Sequence, residues 1–284
     1  MKNKKLTKKN IYYIVLGFAV LACIIFFILF RKTSPSPLNE PNASSTAPVA
    51  SSTSTGSIEM FKYIEIISGC DSHFKGGCVN LRSGPGTNYP VITKLRKGVV
   101  LKVSETVIKD GQTWYKIKID DTIYFPDRVK GDWYVSTVGV RLFEDVGVQN
   151  YKADDVSSSS KKIVVDISEQ SLTAYDGDTI FMDVPVSTGL QLTPTTIGKF
   201  RIFKKTPSRY MQGPIPGSAN TEPFDLPGVP WDLYFTKDGQ VIHGAYWYVG
   251  FGRRWSHGCV NLAPENAKKL YGWAEIGTLV VVQK

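Results

Sequence analysis

Cysteine and histidine are scarce in this chain: four cysteines and three histidines occur among 284 residues. No CxxC pair and no HExxH sequence is present, which excludes the usual zinc-ribbon and metalloprotease patterns. Long runs of helical period are few, which argues against a helical bundle. Acidic side chains are missing from residues 1–32, where seven Lys and Arg stand. Taking those seven from the 34 Lys and Arg of the whole chain leaves 27 against all 25 Asp and Glu. The formal charge of +9 therefore belongs mostly to the N-terminus. The remainder lacks the broad basic face of a nucleic-acid binder, so no nucleic-acid partner is expected. What the chain does have is Gly, Tyr, Phe, Trp and Val in short segments broken by turns. That pattern predicts a mainly β protein with room for roughly two domains.

Residues 1–10 form a basic tail. Ile11 to Phe30, "IYYIVLGFAVLACIIFFILF", is a run of twenty residues without a charge. As a helix it spans about 30 Å, the thickness of a bilayer core. A cleaved signal peptide has a shorter apolar region and a small-residue cleavage site. This run instead ends in "FILFRKTSP", so an uncleaved transmembrane helix is expected, with Cys23 facing lipid. Five lysines precede it and two basic residues follow, which keeps the N-terminus cytoplasmic and the rest outside the cell membrane. Residues 31–58 are rich in Ser, Thr, Pro and Ala. They cannot bury enough apolar surface to offset their ordering entropy and read as a flexible tether.

Residues 59–143 read as short strands: "VVLKVSETV", "TWYKIKI" and "DWYVSTVGVRL", separated by turn chemistry such as "RSGPGTNYP". Leu81-Arg82-Ser83-Gly84-Pro85-Gly86, Tyr89 and the Trp114-Tyr115 pair resemble the bacterial SH3-like domain. The resemblance implies a small β-barrel that binds cell-wall peptide. "DDTIYFPDRVKGD" is longer than the corresponding segment of that family.

The sequence Gly-Cys-Val-Asn-Leu occurs twice, at 77–81 and 258–262, each with a histidine close upstream. In the first copy Val79-Asn80-Leu81 opens a strand. Cys70 and Cys78 bracket a Gly-rich polar loop in an exported chain, which predicts a disulfide between them. A metal site with His73 would lack a fourth ligand nearby.

Residues 144–160, ending "DDVSSSS", are expected to be a second linker. From 161 to 284 strands recur: "KKIVVDI", "SLTAY", "TIFMDVPVST", "GKFRIFKK", "WDLYFT", "QVIHG" and "TLVVVQ". Asp176-Gly177 and Asp238-Gly239 predict hairpin turns. One short helix is expected at "APENAKKLYGWA", with Pro264 in its first turn and Glu265 at its positive end.

The second copy lies in "VIHGAYWYVGFGRRWSHGCVNL". His243 and His257 precede Cys259 by 16 and 2 residues. A nucleophilic cysteine needs a base nearby and N–H donors aimed at the developing oxyanion. Gly258 permits close approach of backbone to substrate, and the amides around His257-Gly258-Cys259 are candidate donors. Spacing alone leaves either histidine as the base.

"IHG" followed by "SHGCVNL", with Ser187-Thr188-Gly189, Thr193-Pro194-Thr195 and Gly198-x-Phe200 upstream, resembles the L,D-transpeptidase (YkuD-type) catalytic domain over about 161–284. The resemblance implies a β-sandwich-type fold and a Cys259 nucleophile. It makes His243 the general base, its ring held by the carbonyl of Gly244. His257 and Gly258 would shape the oxyanion site, and Ser256 and Asn261 the substrate contacts. Asn261 stands where many members carry Arg. The segment 209–231 would form a lid or a wall of the acyl-donor pocket. The implied reaction is acyl transfer on peptidoglycan stem peptides through a cysteine thioester, giving 3→3 cross-links in the cell-wall layer. Water as acceptor would make it an L,D-carboxypeptidase, and a protein amine an anchoring enzyme. A non-catalytic wall-binding scaffold is the reading from another class. No metal or organic cofactor is implied.

Overall fold

A computed structural model describes residues 58–119, 123–151, 160–214 and 223–284. The basic tail, the apolar run 11–30 and all but the end of the tether lie outside the described residues. Among those described, no helix is long and apolar enough to cross a membrane.

The SH3-like region is one seven-stranded antiparallel sheet. Its strands are β1 (Phe61–Ile66), β2 (Val79–Arg82), β3 (Val91–Leu95), β4 (Val100–Lys109), β5 (Gln112–Lys118), β6 (Trp133–Ser136) and β7 (Val140–Asp145). They are ordered β3-β2-β6-β5-β4-β1-β7, so the hydrogen-bonded order does not close. "DWYVSTVGVRL" is two strands rather than one. Gly139 takes φ +76° between them, a conformation that turns the chain and favours glycine. Cys70 and Cys78 are joined by a disulfide.

The C-terminal half stacks two five-stranded sheets. One runs β11 (Thr179–Pro185), β10 (Ser171–Asp176), β9 (Lys161–Asp166), β17 (Leu279–Gln283), β12 (Gly198–Arg201). The other runs β16 (Val260–Leu262), β15 (Val241–Gly244), β14 (Phe224–Tyr234), β13 (Lys204–Gly213), β8 (Gln149–Asn150). Period-two burial explains the stacking. In β9, Ile163 and Val165 point inward, and in β17 Val280 and Val282 do the same. They meet Leu233, Ile242, Val260 and Leu262 of the other sheet in one apolar core.

"GKFRIFKK" is likewise two strands. Ile202 is fully buried at the crossing, where the chain leaves one sheet for the other. Helix α1 (Pro264–Trp273) has Pro264 in its first turn and buries Ala267, Leu270 and Tyr271, an i, i+3, i+4 stripe. The ammonium of Lys205 donates to the carbonyls of Tyr271 and Ala274 at its C-terminal end. This places a positive charge where the helix dipole favours one.

One expectation changes here. The region 144–160 is not wholly a linker: β8 pairs with β13 and belongs to a sheet of the C-terminal half, while 152–159 lie outside the described residues. The segment 209–231 is largely a hairpin arm, Arg209–Gly213 pairing with Phe224–Val229. Pro227 and Pro230 hid this strand, because proline normally demotes a central strand. Residues 215–222 at its tip lie outside the described residues.

The two halves share core. Tyr63 and Val100 of the SH3-like sheet sit in the core of the C-terminal half, while Tyr210, Val229 and Tyr246 sit in the SH3-like core. Gly228 marks the closest approach: at φ +65°, a Cβ there would lie 2.4 Å from the Val100 carbonyl oxygen. Ser208 donates to that same carbonyl at 2.6 Å. The long segment before β6 also docks on the hairpin. Phe125 N–H donates to Gln212 at 3.0 Å, and Arg128 lies 3.4 Å from Asp225.

Candidate active site

Parallel pairing of β15 with β16 sets the site. Ile242 lies beside Val260, His243 beside Asn261 and Gly244 beside Leu262. Residues two apart on a strand share a face. Cys259 stands one residue before β16 and two before Asn261. His243, Cys259 and Asn261 line a cleft of 840 Å³, together with Ser256, His257 and the hairpin residues Arg209, Met211 and Leu226.

The loop before β16 is held on every side. Ser256 N–H donates to Thr188 O at 3.1 Å, and Leu190 N–H donates to Ser256 O at 2.9 Å. Asn261 and Ser187 exchange backbone hydrogen bonds at 2.9 and 3.0 Å. The Ser256 hydroxyl donates to Cys259 O and accepts from Gly258 N–H at 3.2 Å. The Gly258 amide is thus engaged within the loop itself. Thr195 Oγ1 donates to the Gly258 carbonyl at 2.9 Å and accepts from Gly189 N–H. Gly258 has φ +115°, which a side chain rarely adopts, and the Gln240 amide packs against its Cα. Gln240 in turn accepts from Thr196 N–H and donates to Pro194 O.

His243 is buried and Cys259 half-buried. The His243 ring places Nδ1 3.2 Å from Gly244 O. A carbonyl only accepts, so Nδ1 carries the proton and Nε2 holds a free lone pair. Nε2 is buried with no hydrogen-bond partner among the described residues. Burial, then the Arg209 guanidinium, pull the His243 pKa down to about 3, against a smaller upward effect of the Gly244 carbonyl. Burial pushes the Cys259 thiol up, while Arg209 and the Val241 amide pull it back. At neutral pH the pair is a thiol and a neutral imidazole. This arrangement suits a base that takes the proton as the sulfur attacks, rather than a preformed ion pair.

His257 is exposed on the rim of the cleft, and Ser256 and Asn261 are buried beside Cys259. Asn261 Oδ1 has no hydrogen-bond partner among the described residues. Sequence reasoning assigned no individual role to five positions that the structure brings to the cleft or its loop. Arg209 lies on β13, far along the chain from the motif. Thr195 and Gln240 brace the cysteine loop from two other loops. Arg96 and Tyr124 reach the cleft from the SH3-like region. Thr195 lay within a recognised motif, so some signal for it existed. Arg209 opened the segment expected to wall the pocket, and nothing local marked Gln240, Arg96 or Tyr124.

The family model for the L,D-transpeptidase catalytic domain (YkuD) matches residues 160–282, and that for the bacterial SH3 domain matches 77–124. L,D-transpeptidase 2 of Mycobacterium tuberculosis is 28% identical over 159 residues, covering 53% of this chain and 38% of that protein. L,D-transpeptidase 1 of the same organism is 28% identical over 141 residues, covering 48% and 56%. The chain thus spans only about 38–56% of the length of these curated relatives. A solved L,D-transpeptidase of Enterococcus faecium is 28% identical over 43% of this chain and 49% of that one, with a TM-score of 0.39.

Proposed function

From a chain that carries a YkuD-type L,D-transpeptidase catalytic domain behind a bacterial SH3-like domain, we propose a peptidoglycan L,D-transpeptidase that forms 3→3 cross-links. The observation that carries this reading is one cleft that holds a half-buried Cys259 together with His243, whose Nε2 lone pair is buried without a hydrogen-bond partner among the described residues.

The Cys259 sulfur attacks the carbonyl of the amide that joins the diamino acid's L-centre to the following D-alanine. His243 Nε2 takes the thiol proton. As the carbon–nitrogen bond breaks, His243 returns that proton to the leaving D-alanine amine, and a thioester remains on Cys259. The side-chain amine of a second stem then attacks the thioester. His243 takes a proton from that amine and returns it to the departing sulfur. The Gly244 carbonyl keeps the imidazole in the required tautomer throughout. Ser256 and Thr195 hold the loop that carries the nucleophile, and His257 and Asn261 offer polar contacts at the rim and wall. No step calls for a metal or organic cofactor.

The basic tail and the apolar run 11–30 complete the proposal as an N-terminal anchor, cytoplasmic at its start, with 31–58 as tether. They would hold the catalytic domain in the wall layer outside the cell membrane.

The test is intact-mass analysis of the full chain incubated with a disaccharide tetrapeptide. A Cys259 adduct lacking D-alanine, followed by a dimer linked between third residues, is expected. His243→Ala should slow adduct formation by roughly 10²–10⁴-fold. Release of tripeptide without dimer would favour hydrolysis, and absence of any adduct on folded protein would reject the reading.

A further inference from the structure

We propose that Arg96 of the SH3-like domain is a specificity-determining residue of the Cys259 cleft, where it takes a carboxylate of the peptide substrate. This rests on the peptide acyl-transfer reading above and adds to it a contact from the other domain.

Arg96 lies in the turn between β3 and β4, yet it lines the same cleft as His243 and Cys259. The cleft contains two guanidinium groups, Arg96 and Arg209, and no carboxylate among its described lining residues. Such a lining favours an anionic ligand. The two arginines differ in what they reach. Arg209 lowers both the His243 and the Cys259 pKa through its charge, whereas Arg96 is not among the groups that shift either.

Its side chain is also pre-positioned. The guanidinium carbon sits 3.7 Å above the centre of the Phe74 ring. Phe74 belongs to the loop closed by the Cys70–Cys78 disulfide. Within that loop Asp71 accepts from the amides of His73 and Lys75, and Phe74 N–H donates to Asp71 O. Lys97 N–H donates to Cys70 O at 2.9 Å, tying the Arg96 turn to the same disulfide. An arginine held by stacking loses less freedom on forming a hydrogen-bonded pair with a carboxylate. Burial lowers the Arg96 pKa from its ordinary value, against smaller upward effects of Tyr246 and of the Asp71 carboxylate, so its charge is partly stripped of water. That strengthens attraction to an anion in the cleft.

The experiment uses the full chain and three donor peptides. One is the tetrapeptide with all carboxylates free, one is amidated at the C-terminal D-alanine, and one is amidated at the second residue. Arg96→Ala should lower kcat/KM for the free-acid peptide by roughly tenfold or more through KM, with kcat little changed. The peptide amidated at the recognised position should show no further loss, which identifies that carboxylate. Arg96→Lys should restore part of the effect, and Phe74→Leu should fall between. Equal losses on the acid and on both amides would mean a merely structural role and overturn the proposal.

A second readout does not depend on peptidoglycan. The rate of Cys259 alkylation by iodoacetate, relative to neutral iodoacetamide, should fall about threefold in Arg96→Ala at low salt, and less at high salt. If no peptide reacts yet this ratio falls, the acyl-transfer reading fails while the anion site stands. If the ratio is unchanged in both Arg96→Ala and Arg96→Gln, the anion site is rejected.

Discussion

His243 sits directly beside Asn261 across two parallel strands, and this register brings Cys259, two residues before Asn261, into the same cleft as the imidazole. A one-residue slip would send every one of these side chains to the opposite face. Geometry at this site is thus a property of the sheet, and the charge state of the pair is a property of its surroundings.

Arg209 is the charge that both members of the pair feel. Arg209→Gln should raise the Cys259 pKa further above its ordinary value and let that of His243 rise toward its own. Iodoacetamide alkylation followed against pH should show the Cys259 inflection moving upward, with Arg209→Lys close to wild type. An inflection that stays in place in folded Arg209→Gln would contradict the electrostatic account.

Acid should weaken the fold through His243. In the unfolded chain this histidine gains a proton below about pH 6.5. In the folded chain it gains one only near pH 3. Between those values the unfolded state binds more protons, so stability is lost as pH falls through that window. The loss is of the order of a few kcal/mol at most. Denaturant melts at pH 7 and pH 4.5 should show wild type losing more than His243→Asn. Parallel losses would indicate that the buried ring does not titrate this way.

Gly228→Ala should disrupt the seam between the two halves. The added carbon would meet the Val100 carbonyl at 2.4 Å, and the φ of +65° already disfavours a side chain. A destabilisation of about 2 kcal/mol or more is expected. Gly177→Ala also has positive φ but open space around it, so it should cost less. Thermal unfolding of both variants separates the contact from the backbone strain.

Replacing both Cys70 and Cys78 by Ser should lower stability by roughly 2–3 kcal/mol, as expected for a short closed loop. Iodoacetamide should still alkylate Cys259 at its wild-type rate, since the disulfide touches neither reacting group. Loss of that reactivity in folded protein would tie the first Gly-Cys-Val-Asn-Leu copy to the chemistry after all.

What could be read from sequence followed distance along the chain. The strands β9, β10 and β17 were legible because period-two burial is written locally in "KIVVD", "SLTAY" and "LVVVQ". Helix α1 was legible from Pro264 and Glu265. His243 and Cys259 stood out because they fall within one short motif. The crossing at Ile202 was not visible, since "GKFRIFKK" alternates smoothly through a point where the chain changes sheets. Nor was the hairpin arm of β14, whose two prolines argue locally for a loop while its pairing with β13 is set by tertiary contacts. Arg96 reaches the cleft from an element remote in sequence and carries no local mark, and Arg209 was marked only as the first residue of the segment expected to wall the pocket.

The shared core has a consequence for exchanging parts. A fusion breakpoint at 144–160 looks natural on paper, as a seam between modules. Cutting there would strand Tyr63 and Val100 on one fragment and Tyr210, Val229 and Tyr246 on the other, each stripped of its apolar neighbours. A chimera carrying a foreign SH3-like domain would therefore have to bring a matching surface for the β13–β14 hairpin. The two halves are interchangeable only as a pair.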